Sequence, residues 1–238
     1  MKTLKKSLLL LLFFIIAQNA HSLDIEITDK DVHAFYRGEY TRGSGFLNEL
    51  SAIGAIELEN ILAFRGGFAV GRTVIDTEIN TLIDAIYSPF TNIPLSFTLS
   101  WIYNGLPEYD AHTHSIFPYV SFNAHRAGVS LGLNCRFSRF FSRKEFPDEK
   151  AQFESILSFY GYFNFFHNDL LRFGVGAGNF DDFDAGNLGA IFLKLFFRIN
   201  LNENWQLVNE VKLMQSGMDG LTSNLYKTAI RSGVRFTW

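Results

Sequence analysis

Basic side chains at alternating positions in the second half of the chain are the residues best placed to do chemistry. They are Arg136, Arg172, Lys194, Arg198, Lys212, Arg231 and Arg235, with Glu210 among them. Each stands opposite an apolar set on its own segment, so the charges share one face. Near the start, Arg37 and Glu39 form a mixed pair on a similar face. Fixed positive charge along a passage lowers the barrier for anions. The same side chains could instead pair with carboxylates as an internal ladder, which would hold a wall together and pass nothing.

Three other clusters deserve the same two-sided reading. Asp181, Asp182 and Asp184 offer carboxylate oxygens of the kind that bind Ca²⁺, but no complete calcium-loop pattern surrounds them, and acidic loops are common. His112 and His114 could reach one metal from an extended segment; no third ligand is in view, so an exposed loop is the expectation. Ser115 beside His114 is the nearest approach to a nucleophile and base. Adjacent residues of a strand point to opposite sides, which is poor geometry for that pair. No cofactor, metal or catalytic residue is therefore expected.

The elements that carry these residues are strands. Half-apolar segments of about ten residues, separated by turn-forming residues, recur along the chain. They run His33–Thr41, Ser51–Leu58, Ile61–Arg72, Thr81–Ser88, Ile93–Tyr103, Ser115–Ala124, Ala127–Phe140, Phe153–Phe165, Leu170–Asn179, Leu188–Asn200, Trp205–Gln215 and Tyr226–Trp238. Ile93–Tyr103 is the clearest: Ile93, Leu95, Phe97, Leu99, Trp101 and Tyr103 lie against Pro94, Ser96, Thr98 and Ser100. Thr81–Ser88 is the weakest, because Ile79, Leu82, Ile83 and Ile86 also fit a short helix. Pro118 weakens its segment, having no N–H for a ladder. Glu59-Asn60 has the form of a tight turn.

The last segment ends on an aromatic. Tyr226, Thr228, Ile230, Ser232, Val234, Phe236 and Trp238 alternate with Lys227, Ala229, Arg231, Gly233, Arg235 and Thr237. This pattern resembles the closing strand of bacterial outer-membrane β-barrels. The resemblance implies that Phe236 and Trp238 serve as an assembly signal for the barrel-insertion machinery. It also implies an all-β fold: a transmembrane, antiparallel, up-and-down barrel. Counted back from Trp238, long connections (216–225, 180–187, 141–150, 104–114, 73–80, 42–50) alternate with short ones. That count gives about twelve strands with both ends periplasmic. Ten is the alternative if one early hairpin is something else.

At the other end, Lys2, Lys5 and Lys6 precede the apolar run Leu8–Ala17, and Ala20-His21-Ser22 is a small-x-small cleavage site. The expected organisation is a signal peptide over residues 1–22 and one barrel over 23–238. A membrane helix needs about 20 apolar residues, more than any run here supplies. Net charge is −3, with 19% charged residues, which does not point to nucleic acid. There are 26 Phe and 19 Gly, a mixture that suits strands with one greasy face and one face where bulk is unwelcome. The single Cys135 cannot form an internal disulfide and falls on an apolar face.

A soluble barrel or sandwich would show similar alternation with the apolar face turned inward. The basic, serine- and glycine-rich opposite face favours lipid outside and water within. The expectation is an outer-membrane protein of a two-membrane bacterium, in contact with outer-membrane lipid, acting as a porin-like channel for small polar or anionic solutes. The alternatives are a non-conducting structural or surface-interaction barrel and, third, a lipid-modifying enzyme.

Overall fold

The computed structural model describes residues 27–42, 45–74, 76–109, 111–140, 152–183, 190–216 and 224–238. The expected signal peptide lies outside them. Twelve strands follow one another: β1 (Ile27–Thr41), β2 (Gly45–Leu58), β3 (Leu62–Arg72), β4 (Thr77–Tyr87), β5 (Leu95–Leu106) and β6 (Ala111–Asn123), then β7 (Ala127–Phe140), β8 (Gln152–His167), β9 (Leu171–Gly178), β10 (Ala190–Asn200), β11 (Trp205–Ser216) and β12 (Asn224–Thr237). Each pairs antiparallel with its sequence neighbours, and β1 pairs with β12, closing the barrel. The count of twelve holds; ten does not.

The orientation of the faces decides between lipid and a soluble core. On β7, Val129 and Leu131 are each 55% exposed, whereas Asn134 between the outward positions is fully enclosed. On β5, Leu99 lies open while Thr98, Ser100 and Ile102 are buried. An apolar outside around a polar inside is the reverse of a soluble protein and is the pattern of a membrane barrel. Trp205, Phe236 and Trp238 gather at the end where the chain closes, with Trp205 and Phe236 rings 4.7 Å apart. That placement suits an aromatic girdle at a lipid interface.

Local chemistry explains the wall. Glu59 and Asn60 both take positive φ, 52° and 56°, and the Ile61 amide donates to the Leu58 carbonyl at 3.1 Å. A two-residue turn of this hand matches the twist of the strands it joins. The ambiguous Thr81–Ser88 stretch belongs to β4 as far as Tyr87: Asn80, Leu82 and Asp84 turn inward and Ile83 outward. Pro118 stays paired with Leu99 of β5, but the β6–β7 ladder breaks over Phe117 and Pro118.

The expected alternation of long and short connections needs correction. Residues 42–50 and 104–114 are mostly strand and 73–80 is half strand; the connections there are 42–44, 73–76 and 107–110. On the opposite rim, 88–94 is longer than any of these. Above the bilayer both strand faces meet water, so the ladder continues while the hydrophobic alternation fades. A lysine placed on the lipid face at mid-wall should cost about 2–4 kcal/mol, against about 0–1 near a rim. Leu133→Lys is therefore expected to destabilise the barrel far more than Phe46→Lys when both are unfolded by urea from lipid vesicles.

Candidate functional site

β9 is the shortest strand, and its early end redirects the chain. The Asn179 amide donates to the Phe159 carbonyl at 3.0 Å, its Nδ2 donates to the Leu157 carbonyl, and its Oδ1 accepts from the Phe159 amide. With the ladder capped by this one side chain, Phe180–Phe183 turn into the lumen. Phe180 packs its ring on Phe117 at 4.7 Å and on Tyr119 at 5.4 Å. Phe183 joins a buried apolar cluster with Phe35, Ile53, Ala69, Leu82, Ile102 and Val208. The Phe183 carbonyl accepts a hydrogen bond from Asn104 at 2.9 Å.

Between these two aromatic anchors, Asp181 and Asp182 meet cations from four strands. Asp182 accepts from Arg65 of β3 and from Arg231 of β12, each at 2.8 Å. Asp181 lies 3.2 Å from Lys194 of β10 and 3.6 Å from Lys212 of β11. Arg65 also donates to Asp84 of β4 at 2.6 Å, and Glu210 sits 3.7 Å from both Lys194 and Arg231. The Arg231 guanidinium rests 3.7 Å above the Phe35 ring. The loop thus ties β3 and β4 to β10, β11 and β12 across the lumen. Burial alone would raise the pKa of both aspartates. The cations outweigh it, Lys194 then Lys212 for Asp181 and Arg65 then Arg231 for Asp182, and hold both carboxyls below the usual range.

The space around the loop is uneven. Where Arg37, Glu49 and Lys212 face Asp181–Phe183 only about 30 Å³ remains. A chamber of about 230 Å³ lies beside the loop, lined by Ser100, Tyr119, Ser121, Ser130, Tyr160 and Tyr162, by Arg65, Lys194 and Arg198, and by Asp181, Asp182 and Glu210 among others. A cleft of about 550 Å³ opens at the rim formed by Asn200, Asn202, Asn204, Gln206 and Arg235.

The structure sorts the residues singled out from sequence. Lys194, Glu210, Lys212 and Arg231 converge on the loop. Arg235 pairs with Asp31 at 2.5 Å, and Arg136 lies 3.9 Å from Glu154. Arg172 donates to Asn164 at 2.9 Å, and Arg198 stands beside it. Asp181 and Asp182 are engaged by lysines and arginines; Asp184 lies outside the described residues. His112 and His114 stack among Trp101 and Tyr103, on the outward face, while Ser115 points inward and is fully buried. Serine and histidine are thus on opposite sides of the wall. Sequence reasoning did not single out Arg65, Asp84 or Phe183. A carboxylate at the centre of an apolar strand was the available signal for Asp84, and its cross-strand partner in register is Arg65.

No protein-family model matches the chain, and no curated protein matches it in sequence. Solved structures do share its fold. A KdgM porin in complex with disordered oligogalacturonate superposes with a TM-score of 0.56 at 12% identity, covering 87% of this chain and 99% of that one. A KdgM porin on its own superposes with a TM-score of 0.52 at 14% identity, with the same coverage. The chain is a β-barrel of the outer-membrane type. At these identities the likeness concerns the wall, and the inner residues of this barrel carry their own argument.

Removing Asp182 leaves two guanidiniums each short of a carboxylate. Asp182→Ala is expected to lower the unfolding free energy by about 1–3 kcal/mol. A depressed folded-state pKa contributes stability above the unfolded value, about 3.9, and loses it as pH falls through the folded value. The gap between wild type and variant should be full at pH 7 and close only as pH falls well below the usual carboxylate range, because Arg65 and Arg231 hold the Asp182 carboxyl down. Urea titrations at pH 7, 4 and 2.5 measure it; a gap that vanishes by pH 4 would contradict the ion-pair account.

Proposed function

We propose that this barrel is an outer-membrane channel for small polar or anionic solutes, narrowed by the loop that follows β9. The observation that carries the reading is the chamber of about 230 Å³ inside the wall, lined by hydroxyls and by Arg198, with Lys194 at its edge paired to Asp181 and Glu210. A lumen meant only to brace the wall has no use for an open, hydroxylated space next to cationic side chains. Fixed positive charge in such a space favours anions. One of the two similar porins was solved with oligogalacturonate, a polyanion. Catalysis is not part of this reading, since Ser115 and His114 stand on opposite faces.

In planar bilayers the purified barrel is expected to open in discrete steps with anion preference. Arg198→Glu should reduce or reverse that preference. Asp182→Ala should raise the conductance several-fold, because the loop loses its ties to Arg65 and Arg231. Bilayers that stay silent for wild type and for Asp182→Ala would leave a non-conducting surface barrel in its place.

The closing strand has a second proposed role, as the signal read by the barrel-insertion machinery. Phe236 and Trp238 stack at 5.4 Å, and the Trp238 amide donates to the Lys30 carbonyl of β1 at 3.1 Å. The residues that would be recognised are thus also those that seal the first strand to the last. Deleting residues 236–238 should leave the chain in the periplasm; normal insertion of the deletion would remove the signal role.

A further inference from the structure

The inner wall pairs its cations with carboxylates almost everywhere. Arg37 meets Glu49, Arg65 meets Asp84, Lys227 meets Glu39, and Arg235 meets Asp31. Arg172 and Arg198 are different. They are direct cross-strand partners on β9 and β10, and both point inward. Among the described residues, no carboxylate lies within ion-pair distance of either one. Like charges placed directly opposite each other destabilise a sheet, so a pair without a carboxylate in direct contact is a cost to the wall.

Two buried donors at this pair are left without an acceptor. Asn164 of β8 is fully enclosed; its Oδ1 accepts from the Arg172 Nε at 2.9 Å, which fixes the amide so that Nδ2 is free to donate. That Nδ2 is buried and has no partner, and the same is true of the Arg198 Nε. Buried donors left unpaired are uncommon and costly. Both guanidiniums flank the Phe196 ring, with carbon centres 5.9 and 5.8 Å from its centroid, and Arg172 also faces Tyr162 at 5.4 Å. Gly174 makes room for this ring: a Cβ there would fall 2.6 Å from it. The arginines are therefore held in place by aromatic faces. Arg198 opens on the chamber lined by Ser121, Ser130 and Tyr160.

From this geometry we infer an oxyanion-binding site in the lumen, built by Arg172, Arg198 and Asn164, that takes the carboxylate or phosphate group of a small hydroxylated solute. An oxyanion supplies the acceptor that the Asn164 Nδ2 and the Arg198 Nε lack, and guanidinium groups bind oxyanions in charge-assisted, often bidentate, geometry. Arg198 is the member of the three that lines the chamber, whose hydroxyls would meet the rest of the solute. This site deepens the channel reading by giving the passing solute a resting point, and it can be measured apart from conductance.

The test uses the full mature barrel in detergent micelles, titrated calorimetrically with gluconate, inorganic phosphate and, as an uncharged control, sorbitol. Gluconate or phosphate should bind and sorbitol should not; which anion binds more tightly separates a carboxylate solute from a phosphate one. Arg172→Gln and Arg198→Gln should each weaken binding at least tenfold. Asn164→Asp places a carboxylate of the chain's own beside Arg172, and should abolish anion binding while leaving the unfolding temperature equal to wild type or higher. That variant guards against loss of binding through misfolding. Absence of binding by both anions to wild type, or binding by Asn164→Asp as tight as wild type, overturns the site. Intact anion binding with silent bilayers overturns the channel reading and keeps the site.

Discussion

Within hydrocarbon no water is at hand to satisfy a stray amide, so every backbone polar group in a spanning wall must find its partner in the chain itself. The rest of this structure follows from that requirement. It forces twelve strands into one closed ladder, with β12 returning to β1. It also locks side chains to a period of two, because a strand paired on both edges cannot rotate about its axis. Once Leu131 and Leu133 face lipid, Ser130, Gly132 and Asn134 have to face the lumen. The charged residues gathered inside are a consequence of the same alternation that puts phenylalanine outside.

A closed wall of this width leaves an interior to be organised, and the organiser is a short piece of loop. Phe180 and Phe183 act as two separate apolar feet on the wall, and Asp181 and Asp182 between them are shared among Arg65, Arg231, Lys194 and Lys212. Each carboxylate serves two cations, so the cost of ordering one side chain is spread over two charge-assisted bonds. The opposing readings of the basic face, a passage for anions or a ladder of ion pairs, are divided by position. Around the loop the charges are neutralised and the space is nearly filled. Arg172 and Arg198 make no direct ion pair among the described residues, and a chamber lies open beside Arg198.

Alternation alone was enough to make the wall legible. Ile93–Tyr103, Ala127–Phe140 and the closing Tyr226–Trp238 announced strands, and the inward parity of the basic residues followed without further information. The Thr81–Ser88 stretch was ambiguous because its apolar residues satisfy both a helical and a strand period; the ladder with β3 and β5 settles it. Outer strand ends were misjudged as loops at 42–50 and 73–80, since alternation carries information only where one face meets lipid.

What the sequence determined by itself was local: strand, turn, and which side each residue takes, because a period of two is written in consecutive residues. What it could not determine was which inward residues meet across the lumen. Asp182 and Arg65 are separated by over a hundred positions, and their encounter depends on where β9 stops and where the loop then turns. Asp181 and Asp182 therefore look, in sequence, like an acidic surface loop. Only closure of the barrel brings them to four cations, while the β9–β10 register sets Arg172 beside Arg198, with no carboxylate among the described residues at ion-pair distance from either.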